Sequence, residues 1–233
     1  MNSGNKGLAN LGNTCYMNSA IQCLSHLLEF HPKNEHFLNE NKSNDDIYCE
    51  WLKLQLELWQ NSDDKPIVPR SFLQKFMSEC QTKDIMFHNF QQNDTEEFIN
   101  IFMDLLHQSI KKKIKITIEG SITCNLDKLA VKAMNSWEQF FKNDYSYIVQ
   151  KFYSQLLSIT SCSKCDYVTV NFDPCMVLSI AIPDKASSLV DCLDSYINKT
   201  TLDCDNSWKC DKCKERVFLT FSTIDFFIFF ICL

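Results

Sequence analysis

The sequence predicts an α+β protein, a helical N-terminal part followed by a β-rich part organised by cysteine pairs. Three observations predict it. Apolar residues recur at helical spacing behind Cys15 and again behind Asp94. Residues 175–182 alternate, with Met176, Leu178, Ile180 and Ile182 on one face, which is the period of a strand. Two C-x-x-C pairs, Cys162 with Cys165 and Cys210 with Cys213, flank that run.

Bulk properties narrow the class. A length of 233 residues suits one large domain or two small ones, with room for a substantial core. The net charge of −6 argues against nucleic acid, which calls for a basic footprint, and suits a basic ligand. The start, M-N-S-G-N-K-G-L, has no apolar signal region, so secretion is not expected. The thirteen cysteines are then expected as reduced thiols or metal ligands, in the cytoplasm or nucleus.

In chain order, Met17, Ala20, Ile21, Leu24, Leu27 and Leu28 define an amphipathic helix that Pro32 ends. Thr14 or Asn13 is its expected N-cap, which puts Cys15 in the first turn. Unpaired N–H groups and the helix dipole there favour a thiolate. An isolated cysteine is more often a buried structural residue. Here Asn10, on a segment with glycine on either side, is able to bring an amide over the thiol and stabilise an oxyanion. Residues 33–48 are polar and loop-like. Over 50–59, Leu52, Leu54, Leu56 and Leu58 alternate, but the spacing of Trp51, Leu54 and Leu58 and the length of the run favour a helix. Pro66 and Pro69 precede a short helix over 71–79. Asp94 as N-cap with Glu97 at N3 forms a capping box for a helix whose buried stripe is Phe98, Ile101, Phe102, Leu105 and Leu106.

The basic run 111–115 reads as a solvated helix end, and 116–130 as an insertion without assigned structure. From 133 a helix leads into the β-rich part, and 188–197 is a capped helix with Asp191 at N3. The close, F-F-I-F-F-I-C-L, belongs to a run over 217–233 that carries Asp225. It falls short of the about 20 apolar residues of a membrane span, so a central strand covered on both faces is expected, with no membrane association.

Residues 7–19 read G-L-A-N-L-G-N-T-C-Y-M-N-S. This string resembles the Cys box of the ubiquitin-specific proteases, papain-like cysteine peptidases that remove ubiquitin. By that resemblance Cys15 is the nucleophile and Asn10 the oxyanion-hole residue. The segment F-Q-Q-N-D-T-E-E-F resembles the family's second signature, Gln-x-Asp-x-x-Glu-Phe, matched at Gln92, Asp94, Glu97 and Phe98. Asn93 stands where Gln or His is commoner. The resemblance implies that Gln92, Asp94 and Glu97 hold the basic ubiquitin tail. It also implies a papain-like thumb–fingers–palm architecture: a helical thumb over 1–146, zinc-ribbon fingers over 147–216, and the start of a palm sheet over 217–233. Ser154 falls where relatives often carry glycine.

Each C-x-x-C pair makes a tight knuckle, and four thiolates satisfy the tetrahedral preference of Zn²⁺. One such pair alone also fits a redox motif. Two together, Cys162, Cys165, Cys210 and Cys213, point to zinc, and the family's fingers often hold such a ribbon. Its expected role is structural, with no catalytic cofactor.

A cysteine hydrolase also needs an imidazole within reach of the thiol. The five histidines, His26, His31, His36, His88 and His107, all precede the first knuckle, and none lies in a His-box context. His26 is on the Cys15 helix about three turns away, ~16 Å along the axis. The chain is expected to stop where the family's palm sheet begins. The expected function by lineage is a deubiquitinating thiol hydrolase acting on ubiquitin and ubiquitinated proteins, through thiol attack at the terminal glycine, a thioester and its hydrolysis. The absent His box makes a catalytically inactive ubiquitin-binding or scaffold protein the alternative. A zinc-ribbon module unrelated to ubiquitin would leave residues 7–19 unexplained.

Overall fold

The computed structural model describes residues 4, 6–32, 45–60, 65–87, 91–198, 200–201, 208–217 and 219–226. Its contacts divide the chain into two compact units. One joins Met1–Lys112 to Asp144–Lys151; the other joins Lys113–Asn143 to Phe152–Leu233.

The first unit is helical: α1 (Cys15–Ser25), a 3₁₀ turn (Leu28–Phe30), α2 (Ile47–Gln60), α3 (Arg70–Thr82), α4 (Thr95–Ile110) and α6 (Tyr147–Phe152). The expected stripes meet in an aromatic core. Trp51 lies edge-on to Phe102 at 5.1 Å, Phe72 edge-on to Phe102 at 5.4 Å, and Phe98 stacks on Phe102 at 5.7 Å. Phe98, Phe102, Leu105 and Leu106 are buried as expected, whereas Ile101 is half-buried. Helix α1 is shorter than its periodicity suggested: it ends at Ser25, and Leu28, in the 3₁₀ turn, is 80% exposed. Helix α2 starts at Ile47, inside the stretch expected as loop, because Ile47, Tyr48 and Cys49 are all buried.

The second unit contains α5 (Asn125–Phe141), α7 (Leu189–Ile197) and the described strands. Helix α5 begins at Asn125, so it takes in residues 125–130 of the stretch left without structure above. Asp127 starts it by accepting from the Thr123 hydroxyl and from the N–H of Thr123 and Cys124, which draws its carboxyl down to about 2. A four-stranded antiparallel sheet has the order β2 (Val168–Cys175), β1 (Ser154–Cys162), β6 (Leu219–Phe226), β3 (Thr200–Thr201). Strand β6 pairs with β1 along its length and with β3 at Thr220 and Phe221, so it lies inside the sheet, within the run where a central strand is expected. Helix α5 lies along the sheet: Gln155 Nε2 donates to Ala133 O at 3.2 Å, Ser136 Oγ donates to Phe172 O at 3.0 Å, and Ala133, Leu157 and Phe172 form the core. The two-stranded ribbon β4 (Trp208–Lys209) and β5 (Arg216–Val217) carries the second knuckle.

One expectation is corrected here. Residues 175–182 are not a strand; the ladder stops at Cys175, which pairs with Ser154, the first residue of β1. Alternation persists beyond it as far as Ile180, with Met176, Leu178 and Ile180 half-buried and Val177, Ser179 and Ala181 exposed, whereas Ile182 is 81% exposed; the pattern reports facing and not pairing. The true strand, Val168–Cys175, contains Pro174, which an outer strand paired on one side tolerates. Helix α5 groups with the sheet in the second compact unit. The helix over 189–197 is as expected, with Ser188 and Asp191 closing a full capping box.

Candidate functional site

The segment entering α1 is held from two sides. Ala9 N–H donates to Ile67 O at 2.8 Å and Ile67 N–H to Gly7 O at 2.9 Å, a short parallel bridge. From the helix, Gln22 Nε2 donates to Lys6 O at 2.6 Å, and Asn18 Nδ2 donates to Leu8 O and Ala9 O at 3.4 and 3.2 Å. The chain then turns through Gly12 (φ 94°) and Asn13 (φ 53°), two consecutive left-handed residues. Thr14 occupies the N-cap position, but its side chain makes no cap bond. It turns back instead: Leu11 N–H donates to Thr14 Oγ1 at 3.0 Å, and Thr14 Oγ1 donates to Asn10 Oδ1 at 3.1 Å. Asn10 Oδ1 also accepts from Gly12 N–H at 3.1 Å and Thr14 N–H at 3.0 Å. Cys15 is the first helical residue and is exposed. Cys80 is the contrast, a buried thiol pushed up to about 11 by that burial and so unsuited to act as a thiolate.

The second motif opens α4. Asp94 caps it, its Oδ1 accepting from Glu96 N–H at 2.7 Å and Glu97 N–H at 3.1 Å. The reciprocal half of the expected capping box is absent among the described residues, which leaves the Glu97 carboxylate outside the cap. Gln92, Asp94, Glu96 and Glu97 are all exposed, so three carboxylates share one helical turn.

The two motifs meet through Tyr16. Asn93 Nδ2 donates to the Tyr16 hydroxyl at 3.2 Å across 77 positions of sequence. The Tyr16 ring lies edge-on to Phe98 and tilted on Phe87, at 6.0 Å from each. Burial pushes the Tyr16 phenol up, against the opposing effect of the Asn93 bond.

The described histidines are engaged elsewhere. His26 Nδ1 lies 2.8 Å from Gln22 O, and the His31 ring lies 4.5 Å from Trp59. His107 is buried with its Nδ1 2.8 Å from Ser146 Oγ, and burial holds its imidazole below the ordinary value. His36 and His88 lie outside the described residues.

In the second unit, Cys162, Cys165, Cys210 and Cys213 bring their sulfurs within 4.8 Å of one another. Cys162 and Cys213 are 3.9 Å apart, Cys165 and Cys210 3.7 Å. A tetrahedron with Zn–S bonds of about 2.3 Å has sulfur edges of about 3.8 Å, so the cluster fits zinc. These separations are too long for disulfides. Burial and its thiol neighbours push Cys165 up to about 12. At Cys210 burial opposes the anion, but N–H bonds from Cys213 and Lys212 prevail and draw it down to about 7. A divalent cation would let all four ionise. Lys214, in the left-handed region at φ 61°, turns the second knuckle, and a Lys164–Glu215 ion pair ties the two knuckles together.

Two site residues, Tyr16 and Asn18, were not picked out from sequence, and Thr14 was read only as a helix cap. Asn18 left a faint signal, an amide one turn beyond Cys15 on a helix otherwise apolar toward the core.

The fold that carries these residues is also found among solved structures. A solved structure of the SAGA Ubp8/Sgf11/Sus1/Sgf73 DUB module bound to ubiquitin aldehyde shares it. The TM-score is 0.64 at 24% identity, over 95% of this chain and 44% of that one. The family model of the ubiquitin carboxyl-terminal hydrolases matches residues 6–216, and the chain belongs to that family. Among curated relatives, ubiquitin carboxyl-terminal hydrolase Usp2 of Drosophila melanogaster is 32% identical over 217 residues, 90% of this chain and 22% of that protein. Ubiquitin carboxyl-terminal hydrolase 2 of Bos taurus is 30% identical over 224 residues, 91% of this chain and 36% of that protein. The chain thus spans a minor part of these relatives' length. No helix among the described residues is long and apolar enough to cross a membrane.

Proposed function

We propose that this chain carries the nucleophile and the ubiquitin-gripping surfaces of a cysteine-type deubiquitinating hydrolase. The supporting observation is the 3.2 Å bond from Asn93 to Tyr16, which sets the acidic turn beside the residue next to the exposed Cys15. Cys15 Sγ attacks the carbonyl of ubiquitin's terminal glycine, and Asn10 Nδ2 donates to the resulting oxyanion. Collapse expels the amine and leaves a thioester, which water then hydrolyses. Gln92, Asp94 and Glu97 receive the basic tail, with charge-assisted bonds to arginine as their contribution. Cys162, Cys165, Cys210 and Cys213 hold a structural Zn²⁺ that fixes the fingers and takes no part in the chemistry. Thumb (1–146), fingers (147–216) and palm onset (217–233) are the corresponding functional divisions. The partners are ubiquitin and ubiquitinated proteins in the cytoplasm or nucleus, with no role for nucleic acid or membrane.

A ubiquitin probe with an electrophilic C-terminus tests the assignment. Cys15 is expected to be the labelled residue, with labelling lost in Cys15→Ser and weakened in Asp94→Asn. A folded preparation that binds ubiquitin but leaves Cys15 unlabelled overturns the nucleophile assignment; one that does not bind ubiquitin overturns the whole reading.

A further inference from the structure

We propose that Thr14 is a positioning residue for the oxyanion donor, its hydroxyl locking the Asn10 amide with the oxygen inward and the NH₂ group free for the substrate. This rests on the hydrolase reading of Cys15 and Asn10.

The hydrogen-bond pattern leaves one arrangement. Asn10 Oδ1 lies within 3.1 Å of two backbone N–H groups, those of Gly12 and Thr14, and such donors only face an oxygen. The Thr14 hydroxyl is the third neighbour, also at 3.1 Å. Its own lone pair receives the Leu11 N–H at 3.0 Å, so its hydrogen is directed to Asn10 Oδ1. Asn10 is therefore held by its acceptor end, while Nδ2 makes no bond among the described residues and the side chain is exposed. A side-chain donor to an oxyanion needs this state: oriented before substrate arrives, and not spent on the protein itself. Thr14 is 5% exposed, so water does not readily replace its hydroxyl. It also sits directly before Cys15, so donor and nucleophile are referenced to the same residue.

Thr14→Val and Thr14→Ser separate position from mere packing, since valine keeps the shape and serine keeps the hydroxyl. The full chain is titrated with ubiquitin and with ubiquitin aldehyde, whose thiol adduct carries an oxygen at the oxyanion position. The expected result is aldehyde affinity reduced about tenfold or more in Thr14→Val, plain ubiquitin affinity unchanged, and recovery in Thr14→Ser. NMR of the Asn10 side-chain amide supplies a readout independent of ubiquitin: a single fixed orientation in the wild type and in Thr14→Ser, averaged or flipped in Thr14→Val. Full aldehyde preference in Thr14→Val overturns the proposal and leaves the hydrolase reading intact. If the wild type binds neither ligand, the hydrolase reading falls and the amide signal decides: unchanged in Thr14→Val, it removes the positioning role as well. Where the valine variant does not fold, Thr14→Ala is compared with Thr14→Ser on the same two readouts.

Discussion

The Cys15–Asp94 region and the four-cysteine cluster both join segments far apart in sequence, yet different forces hold them. The first is joined by neutral hydrogen bonds and aromatic packing: Asn93 to Tyr16 at 3.2 Å, and Tyr16, Phe76 and Phe87 set around Phe98. The bonds that join it come from the protein alone. The second brings four sulfurs within 4.8 Å, where thiolate charges oppose one another and little apolar surface surrounds them. A divalent cation would offset that repulsion. The Cys15 segment is thus tied in by bonds that the protein supplies itself, while the four clustered sulfurs sit in the other compact unit.

Metal removal is the strongest way to break that comparison. Purified protein is expected to hold about one zinc per chain, read by elemental analysis. Zinc binding in small cysteine sites is worth on the order of 10 kcal/mol. Chelation or Cys210→Ser is therefore expected to abolish hydrogen-exchange protection around 162–165 and 208–217. Protection in α1 and α4 is expected to persist. Unchanged protection around the knuckles would remove the zinc assignment, and parallel loss in α1 and α4 would show that the two regions do not assemble independently.

Phe98→Ala is the matching lesion in the helical unit. Phe98 is fully buried and stacks on Phe102, so its loss should cost about 3–5 kcal/mol. Thermal melting is expected to show this without loss of bound zinc. A smaller step comes from Asp94. Asp94→Ala removes the cap and should cost about 1 kcal/mol, whereas Asp94→Asn keeps a competent cap and removes only charge. Affinity for ubiquitin is expected to fall in both, but stability only in Asp94→Ala. Equal stability loss in the two variants would mean that the carboxylate's charge, not the cap, holds the turn.

The sequence made this contrast partly legible. Spacing revealed α1 and α4, because apolar residues at helical intervals have few other places to go, and Ser188 with Asp191 marked the start of α7. The four cysteines were legible for a chemical reason: few residue pairs other than metal ligands need so tight a turn. What stayed hidden was partnership. Residues 175–182 alternate like a strand, but pairing depends on where β1 begins, which no local pattern records. Pro174 and Asp173 disguised the strand that does form, tolerable only because β2 is paired on one side. In the site, Cys15, Asn10 and Asp94 were identifiable from motif. The roles of Thr14 and Tyr16 were not, since a threonine before a helix reads as a cap and a tyrosine after a cysteine as packing. Only the fold brings Asn93 to the phenol.

The smallest effect belongs to His107, and it sharpens the claim that the helical unit is held by neutral bonds. His107 Nδ1 meets Ser146 Oγ at 2.8 Å, while Val149 N–H donates to the same oxygen at 3.2 Å, so this pair caps α6. Burial depresses the imidazole below 6.5, with Lys111 and Lys83 adding to that direction and Asp104 and Asp144 opposing it. The unfolded chain therefore binds a proton more readily than the folded one. Stability from this group is fully present above about pH 6.5 and is lost as pH falls through that value toward the lower folded one. The melting temperature of the wild type is expected to decline from pH 7 to pH 5 more steeply than that of His107→Asn, whose amide reaches Ser146 without titrating. Identical slopes would mean that His107 is protonated as easily inside as outside, and that the α6 cap does not depend on a neutral ring.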